Sequence, residues 1–386
     1  MNPSSIVNKS PRLTSIDMVR GLVMVFMALD HCRDFFYVGN SVNPLDPNQS
    51  NTLLYLTRWI THTCAPSFVF LAGISIFFQK GSQNNNLVWK LFSRGVWLIF
   101  LEVTLINFSW TFHGLFQNVY LQIIWALGAG FICMSLLHKL PPRIALILGL
   151  AIITLQSNLN AIKLNGEGVL GVIWSFAYEM VYFKTQGGCN ISVPYPFLPW
   201  LGILLAGFGC GPYFQSAFST EKRQKGLLII AVLLASSFVI IRSFNGYGNP
   251  AQWHGIPGSK EFFFTFFDVE KYPPSMLYCM ATLSILAIYL WLAEKSLLPI
   301  QSVLLTFGRV PLFFYFFHLP LIHGSAMLCF HLMKVLKLAP ESGKPGFELP
   351  GLYIVWILIL LTLLPFCRWF EGIKARNRGA WWTTYS

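Results

Sequence analysis

Ionisable side chains suited to acid–base chemistry are concentrated in the first two apolar segments of the chain. They are Arg20, Asp30, His31, Asp34, Arg58 and His62. Imidazole titrates near neutral pH, with an unperturbed pKa of about 6.5, and a neighbouring carboxylate orients and tunes it. The sequence therefore predicts histidine-centred chemistry, with His31 oriented by Asp30 or Asp34 and with the two arginines positioning a substrate or stabilising developing negative charge.

The spacing of these residues predicts where they lie along two antiparallel helices. Arg20 and His31 are eleven residues apart, which is about three helical turns and roughly 16 Å of rise, so they share one face at different depths. His62 lies on the following, returning segment, at a depth comparable with His31. Two histidines could thus face one cavity, with His62 as a second acid or base; alternatively, both hold the helices together by hydrogen bonds.

Five further residues form a second set of candidates, for binding a donor cosubstrate. They are Arg94, Arg143, Trp125, Arg309 and His318. Basic side chains pair well with phosphate, although the general excess of basic residues on the cytoplasmic side of membrane proteins, or simple packing, explains them equally well. No GxxxxGK[ST], HExxH or GxSxG motif occurs, and the eight cysteines include no CxxC pair, so neither a metal site nor a disulfide framework is predicted.

The elements that must position these residues are membrane-spanning helices. The chain is 55% hydrophobic and only 11% charged, against about 25% charged in ordinary soluble domains. Apolar runs near the ~20 residues that a bilayer core requires recur along the whole chain. We predict an all-α, polytopic helical bundle with ten spans, at residues 18–38, 52–78, 87–108, 116–138, 143–158, 197–215, 226–243, 276–293, 302–333 and 351–370.

The distribution of basic residues decides the topology. An eleventh apolar run, residues 169–183, is long enough to be considered, but counting it as a span would move Lys222, Arg223 and Lys225 to the outer side. Treating it as an interfacial or re-entrant helix leaves the basic loops on one side, which the positive-inside rule makes cytoplasmic. We therefore expect both termini inside and a single domain over residues 1–386, with a polar tail at 1–14 and a cytoplasmic tail at 371–386. The net charge of +12 reflects this topology, and no nucleic-acid partner is expected.

Several motifs resemble one known family across nearly the whole chain. Residues 12–31 resemble the start of the heparan-α-glucosaminide N-acetyltransferase catalytic-domain family, within the wider transmembrane acyltransferase superfamily, and the spacing of Arg20 and His31 is similar to its Arg-x10-His pattern. Residues 57–73, TRWITHTCAPSFVFLAG, are the more specific match. The resemblance continues in QIIWALG at 122–128, YPFLPWLGILLAGFGCG at 195–211, KYPPS at 271–275 and FGRVPLFFYFFHLPLIH at 307–323.

The resemblance implies an acyltransferase that moves an acetyl group from cytoplasmic acetyl-CoA to a sugar amine or hydroxyl on the far side of the membrane. The implied partners are membrane lipids, the acyl-CoA donor and a glycan or other amine or hydroxyl acceptor, with oligomers possible. The expected location is the bacterial inner membrane. His31 would be the general base or a transient acyl carrier. The alternative is a transporter or solute-binding membrane protein in which the same charges line a translocation path.

Overall fold

The structure is a computed structural model that describes residues 14–38, 43–80, 86–114, 116–185, 187–338, 345–377 and 380–384. Most of the predicted N-terminal tail lies outside these residues. The described chain is dominated by α-helices, as its apolar segments predict. In order they are α1 (Thr14–Phe36), α2 (Thr52–His62), α3 (Cys64–Lys80), α4 (Leu87–Leu101), α5 (Asn107–Thr111), α6 (Ile123–Leu137), α7 (Pro142–Leu155), α8 (Gly168–Ala177), α9 (Phe197–Cys210), α10 (Thr220–Phe244), α11 (Lys260–Phe266), α12 (Met276–Glu294), α13 (Gln301–Arg309), α14 (Pro311–Val335) and α15 (Leu349–Arg376).

Eight helical stretches in the described residues are long and apolar enough to cross a membrane. They are Thr52–Lys80, Leu87–Thr111, Pro142–Ala161, Phe197–Phe214, Thr220–Phe244, Met276–Glu294, Pro311–Val335 and Leu349–Arg376. The other two predicted spans correspond to α1, which carries several charges, and α6, whose 15 residues rise only about 22 Å. The prediction of an all-α polytopic bundle is confirmed. The ten residues of α8 rise about 15 Å, half of a bilayer core, so this helix is too short to cross.

Prolines divide two of the predicted spans into separate helices. Pro66 has no backbone N–H, so the carbonyl of His62, four residues earlier, lacks its helical donor; the Tyr278 hydroxyl donates to this carbonyl instead, at 2.8 Å. Further along, the predicted span 302–333 breaks at Val310, whose backbone leaves the helical region immediately before Pro311, as expected for a residue that precedes proline. The first break leaves a backbone carbonyl inside the bundle that a side chain of another helix satisfies.

The predicted span 116–138 also differs from the structure, because its first part is a strand. Three short strands, β1 (Asn118–Tyr120), β2 (Tyr182–Lys184) and β3 (Asn190–Ser192), form one sheet in the order β1-β3-β2, with β1 parallel and β2 antiparallel to β3. Helix α6 begins only at Ile123. Residues 118–120, which were predicted to begin a span, are therefore joined by backbone hydrogen bonds to residues 190–192, which lie between two predicted spans.

Helix α1 is the central element of the bundle. It packs against α2, α3, α12, α13, α14 and α15, and most of its residues are buried. Its contact with α13 is close, because a Cβ at Gly21 would meet the carbonyl of Leu304 and one at Gly308 would meet the carbonyl of Asp17. Small residues that allow backbones to approach are a usual means of packing membrane helices.

The two ends of the bundle can be named from α1. At the first end, where α1 begins, the Ser15 hydroxyl and the Arg223 guanidinium both donate to the Glu294 carboxylate, at 2.8 and 2.7 Å. At the second end, where α1 ends, the Phe347 N–H donates to the Phe36 carbonyl at 2.7 Å. Two buried clusters of apolar side chains fill the bundle between these ends, and Met27 packs against both.

Candidate active site

A small cavity lies between the two apolar clusters, next to α1. Its volume is about 80 Å³, whereas about 10–15 Å³ is enough to hold one water molecule, so it has room for a small acyl group. The residues that line it are Val23, Met27, Asp30, His31, Asp34, Thr61, Cys64, Ala65, Phe68, Trp110, Gln122, Ile123, Tyr195, Lys271, Tyr272 and Tyr315. Three of the residues predicted from the sequence to be catalytic are therefore at this cavity: Asp30, His31 and Asp34.

The ring of His31 is hydrogen-bonded to a second histidine rather than to a carboxylate. Its Nδ1 lies 2.7 Å from Nε2 of His318, and His318 is fully buried. Nδ1 of His318 lies 2.7 Å from the carbonyl of Tyr315 and 3.1 Å from that of Phe314. Carbonyls only accept hydrogen bonds, so Nδ1 of His318 carries the proton and, in the neutral ring, its Nε2 is an acceptor.

The tautomer of His31 follows from this arrangement. With both rings neutral, Nδ1 of His31 donates to His318, and Nε2 of His31 is left unprotonated. Among the described residues no hydrogen-bond partner is within reach of this Nε2, and His31 lines the cavity. The arrangement leaves a free basic nitrogen beside the space where a substrate would lie. His318 was expected from the sequence among the donor-binding residues, and the structure places it behind His31.

Asp30 does not contact the imidazole of His31 because arginines and a hydroxyl occupy its carboxylate. One nitrogen of Arg58 lies 2.8 and 3.0 Å from its two oxygens, Arg33 lies at 3.0 Å, and the Thr61 hydroxyl donates at 2.9 Å. Asp34 accepts from the other side of Arg33 at 2.8 Å. The guanidinium groups outcompete a neutral ring for these oxygens, since hydrogen bonds between charged partners are about twice as strong.

A cation from a distant part of the chain completes this wall of the cavity. Lys271 is 7% exposed, and its ammonium lies over the rings of Tyr272 and Tyr195, 5.0 and 5.7 Å from their centroids. The two tyrosine hydroxyls are 3.4 Å apart. Burial alone would raise the pKa of Tyr272, but the charges of Lys271 and Arg58 lower it below its usual value. Burial, followed by the neighbouring Tyr272, raises the pKa of Tyr195.

The charges around the cavity do not cancel. Among the described residues Arg33, Arg58 and Lys271 face two carboxylates, those of Asp30 and Asp34, which leaves an excess of one positive charge. A site of this kind favours a substrate that is anionic or that becomes anionic during reaction.

One buried donor at the cavity has no acceptor among the described residues. Trp110 lies edge-on to the ring of His31, with centroids 4.9 Å apart, and its indole N–H is buried without a hydrogen-bond partner in the described part of the chain. An unpaired buried donor costs about 1–3 kcal/mol, a cost that a bound oxygen atom would remove. Trp110 lies in α5, beyond a π-helical turn at Glu102–Ile106. There Glu102 accepts from the Gln122 N–H at 2.8 Å and so fixes the start of α6 beside the cavity.

Two residues predicted to be catalytic lie away from the cavity. Arg20 bonds to Asp17 at 2.9 Å, to the Ser75 hydroxyl at 2.9 Å and to the Gly308 carbonyl at 3.2 Å, so it joins α1, α3 and α13 near the first end. The side chain of His62 packs against Trp59 and Tyr278 and does not line the cavity. Arg58 reaches the site through its contact with Asp30.

The remaining donor-binding candidates are dispersed over the bundle. Arg94 lies over the ring of Phe131, 5.2 Å from its centroid, and Arg143 is exposed at the start of α7. Trp125 packs against Phe176. Arg309 pairs with Glu371 at 2.8 Å near the first end. None of these four residues lines the cavity, so any of them that binds the donor does so outside the cavity.

Four of the cavity residues that the sequence did not single out are important for its chemistry: Lys271, Tyr272, Tyr195 and Trp110. The first two precede Pro273 and Pro274 just before the start of α12 at Met276, where a turn that begins the helix is a sufficient explanation for them. A signal was nevertheless present, since both lie in the KYPPS motif that carries the family resemblance, and a lysine beside a tyrosine at a membrane helix start needs a reason. Nothing in the sequence around Trp110 distinguishes it from the other tryptophans.

Comparison with known proteins agrees with four of the six motif segments, those between residues 12 and 211. The family model described as Heparan-alpha-glucosaminide N-acetyltransferase, catalytic, matches residues 12–244. The match includes Asp30, His31 and Arg58 and ends before Lys271 and His318. A search of curated proteins found no match.

Proposed function

The chain belongs to the heparan-alpha-glucosaminide N-acetyltransferase catalytic family, and from this premise we propose that it transfers an acetyl group from acetyl-CoA to an amine or hydroxyl of a sugar acceptor, within the membrane. The observation that carries the proposal is the His31–His318 pair, which leaves Nε2 of His31 free at a cavity that also holds a buried lysine. Acyl transfer needs a base for the incoming nucleophile and positive groups for the oxyanion, and both are present there.

In the proposed reaction the acceptor amine or hydroxyl attacks the carbonyl carbon of the thioester. Nε2 of His31 takes the proton from the nucleophile as the new C–N or C–O bond forms. The Lys271 ammonium and the Trp110 indole N–H donate to the carbonyl oxygen as it becomes negative. The C–S bond then breaks, and His31 returns its proton to the leaving thiolate.

The His31–His318 pair also supports a role for His318 in positioning the ring of His31. As the imidazole turns into imidazolium, a second neutral ring that accepts from its Nδ1–H stabilises the new charge and holds the ring in place. His318 would thus do for His31 what a carboxylate does in a catalytic triad. Asp30 and Asp34 act instead by holding Arg33 and Arg58 at the cavity wall.

The depth of His31 bears on how the two substrates enter. His31 is five residues from the end of α1 at Phe36, which is about 8 Å along a helix of roughly 34 Å, so the cavity lies closer to the second end. We propose that the acceptor enters from the second end and the donor from the first, which is cytoplasmic by the positive-inside rule. The thioester then has to extend through more than half of the bundle.

The test is acetyl transfer by purified protein in lipid nanodiscs, with labelled acetyl-CoA, a panel of amino sugars and neutral sugars, and mass spectrometry of the products. We expect His31→Ala to lower the rate by about 10²–10⁴-fold, the usual contribution of a general base. His254→Ala is the matched control, because His254 is an exposed histidine paired with Glu261 at 3.0 Å, and it should leave the rate unchanged. Transfer by the His31→Ala variant at the wild-type rate would refute the assignment.

The same preparation separates the proposal from a transporter function. A transporter would move a labelled sugar across proteoliposomes without acetylating it and without releasing CoA. Release of CoA in step with acetylated product supports the acyltransferase, and uptake of unmodified sugar without either product would favour transport.

A further inference from the structure

A buried arginine at the second end donates only to backbone carbonyls among the described residues. Arg242 lies in the last turn of α10 and is 2% exposed. Its guanidinium donates to the carbonyls of Thr265, Phe266, Ala251 and Asp268, at 2.7, 2.9, 2.8 and 3.2 Å. Burying a cation is costly, so each charge inside a membrane bundle needs a reason. The position of these carbonyls shows which segment depends on Arg242.

All four carbonyls belong to the loop between α10 and α12. The end of α11 supplies two of them, at a place where helical donors run out. A third, that of Ala251, is near the start of the loop, so Arg242 ties the start of the loop to the end of α11. The fourth belongs to Asp268, which is three residues before Lys271 at the cavity.

The side chain of Asn249 extends this support toward the cavity. Its amide nitrogen donates at 2.9 and 3.3 Å to two carbonyls that Arg242 also contacts, those of Ala251 and Asp268. Its amide oxygen accepts from the Glu270 N–H at 2.8 Å. Arg242 and Asn249 together therefore fix the backbone immediately before the residue that enters the cavity.

The backbone that follows Lys271 is fixed by the start of α12. The Ser275 N–H donates to the Glu270 carbonyl at 2.8 Å, and the Tyr272 N–H donates to the Glu270 carboxylate at 3.1 Å. Ser275 is also the N-cap of α12, where its side chain accepts a backbone N–H from the first turn. The backbone of Lys271 is thus held between α12 on one side and Arg242 on the other.

The ammonium of Lys271 depends on this support because its own contacts are loose. It lies over the rings of Tyr272 and Tyr195, 5.0 and 5.7 Å from their centroids, and a cation is attracted anywhere within about 6 Å of a ring centroid. Such contacts do not fix the ammonium to within one ångström. A misplacement of about 1 Å can cost a hundredfold in rate, so the position of the backbone decides how well this ammonium acts.

We infer that Arg242 and Asn249 are positioning residues for acyl transfer, which hold the Lys271 ammonium where the carbonyl oxygen of the thioester becomes negative. The inference rests on the proposed function, in which Lys271 donates to that oxygen. Neither Arg242 nor Asn249 lines the cavity, so both act through Lys271 and not by contact with a substrate.

A purely structural role for Arg242 and Asn249 makes a different prediction. If they only stabilise the loop, their loss lowers activity by the same factor whether or not residue 271 is a lysine. If they position Lys271, their effect disappears once its ammonium is removed, because nothing remains to be positioned. A double-mutant cycle measures this difference.

The experiment measures kcat and KM for acetyl transfer by the full-length protein in nanodiscs, with Asn249→Ala and Arg242→Met each made in the wild type and in Lys271→Met. In the wild type we expect Asn249→Ala to lower kcat about tenfold and Arg242→Met about a hundredfold, at nearly constant KM, since a misplaced donor weakens only the transition state. In Lys271→Met each loss should shrink to about twofold or less. Gln252→Ala is the matched control and should leave kcat unchanged, because Gln252 is an exposed amide of the same loop that donates to the Asn245 carbonyl at 3.2 Å.

Hydrogen exchange in a peptide covering residues 266–275 gives a second readout that does not depend on activity. The Glu270 N–H donates to Asn249, so Asn249→Ala should speed its exchange by exposing it to local opening. Arg242→Met should have the same effect, whereas Gln252→Ala should leave the exchange of this peptide as in the wild type.

The outcomes separate this inference from the proposed function. Equal fold losses of kcat in both backgrounds would assign a structural role to the two residues and overturn the inference, while the proposed function stands. Wild-type kcat and exchange in both variants would also overturn it. If Arg242→Met does not fold, Asn249→Ala decides the cycle by itself. If the wild type transfers no acetyl group, the proposed function fails, and the exchange rates still decide whether Arg242 and Asn249 hold the segment that carries Lys271.

Discussion

The hydrogen bond between His31 and His318 makes a sharp prediction about activity. Replacing His318 by leucine removes the only described acceptor for Nδ1 of His31, which the wild type meets at 2.7 Å. The variant leaves that N–H unsatisfied and allows the other tautomer, in which Nε2 carries the proton and cannot act as a base. An unsatisfied buried donor costs about 1–3 kcal/mol. Since about 1.36 kcal/mol is tenfold in rate, kcat should fall by roughly 5- to 150-fold.

Two variants control for the loss of packing. His318→Gln retains an oxygen that can accept from His31, and we expect it to keep kcat within about threefold of the wild type, because the same hydrogen bond is made. His323→Leu removes another histidine of α14, which is half-buried. It donates to the Ser109 carbonyl at 2.9 Å but does not contact His31. The variant should change thermal stability without a selective effect on kcat.

The assay is steady-state acetyl transfer in nanodiscs, with kcat and KM determined separately and the melting temperature measured for each variant. A positioning role predicts that the leucine variant loses kcat at nearly constant KM and that glutamine restores it. Wild-type kcat in His318→Leu would refute the reasoning about the tautomer. So would an equal loss of kcat in His318→Leu and His323→Leu, since this would trace the effect to packing of α14.

Three further predictions follow from other contacts. Lys271→Met should lower kcat about 10²–10³-fold, the usual effect of removing one oxyanion donor, whereas Lys271→Arg should retain more activity; equal rates in the methionine variant and the wild type would remove Lys271 from the mechanism. Burial, and then the nearby Glu270, raises the pKa of Asp268 to about 6, against a weaker opposing effect of Arg242. The folded protein therefore holds this proton more tightly than the unfolded chain does. The stability that the protonated Asp268 contributes is lost as the pH rises from about 4 through about 6. Asp268→Asn should therefore raise the melting temperature relative to the wild type at pH 7 more than at pH 4.5, and a pH-independent difference would contradict this. Gly308→Ala should lower the melting temperature, because its Cβ would meet the Asp17 carbonyl and overpacking costs about 1–3 kcal/mol; Gly226→Ala, with open space around its Cβ, is the control.

Much of the architecture follows from local properties of the chain. An apolar run of membrane-spanning length must become a helix in lipid, because every backbone polar group needs an internal partner there. The run at 226–243 thus became α10, and the run at 351–370 became α15. The breaks at Pro66 and Pro311 were visible as prolines but not interpreted as helix ends. The strand β1 was missed because Asn118–Tyr120 adjoins the apolar residues of α6, and its partner β3 lies some 70 residues away in the sequence.

The candidate site likewise combines features that the sequence predicts with features that only the tertiary structure shows. The sequence by itself determined that α1 carries unusual charge for a membrane helix, that His31 has carboxylates as neighbours, and that the chain resembles an acyltransferase family. These conclusions depend on residue types and on spacing within one helix, where 1.5 Å of rise per residue fixes relative depth.

Only the tertiary structure decided which groups meet across helices. It paired His31 with His318, which is 287 positions later, gave Asp30 to Arg58, and brought Lys271 and Trp110 to the same cavity. Depth along a helix does not specify rotation about its axis or the identity of its neighbours. Those depend on how α1 packs against six other helices at once, and for that reason Arg20 and His62, at plausible positions in sequence, lie away from the cavity.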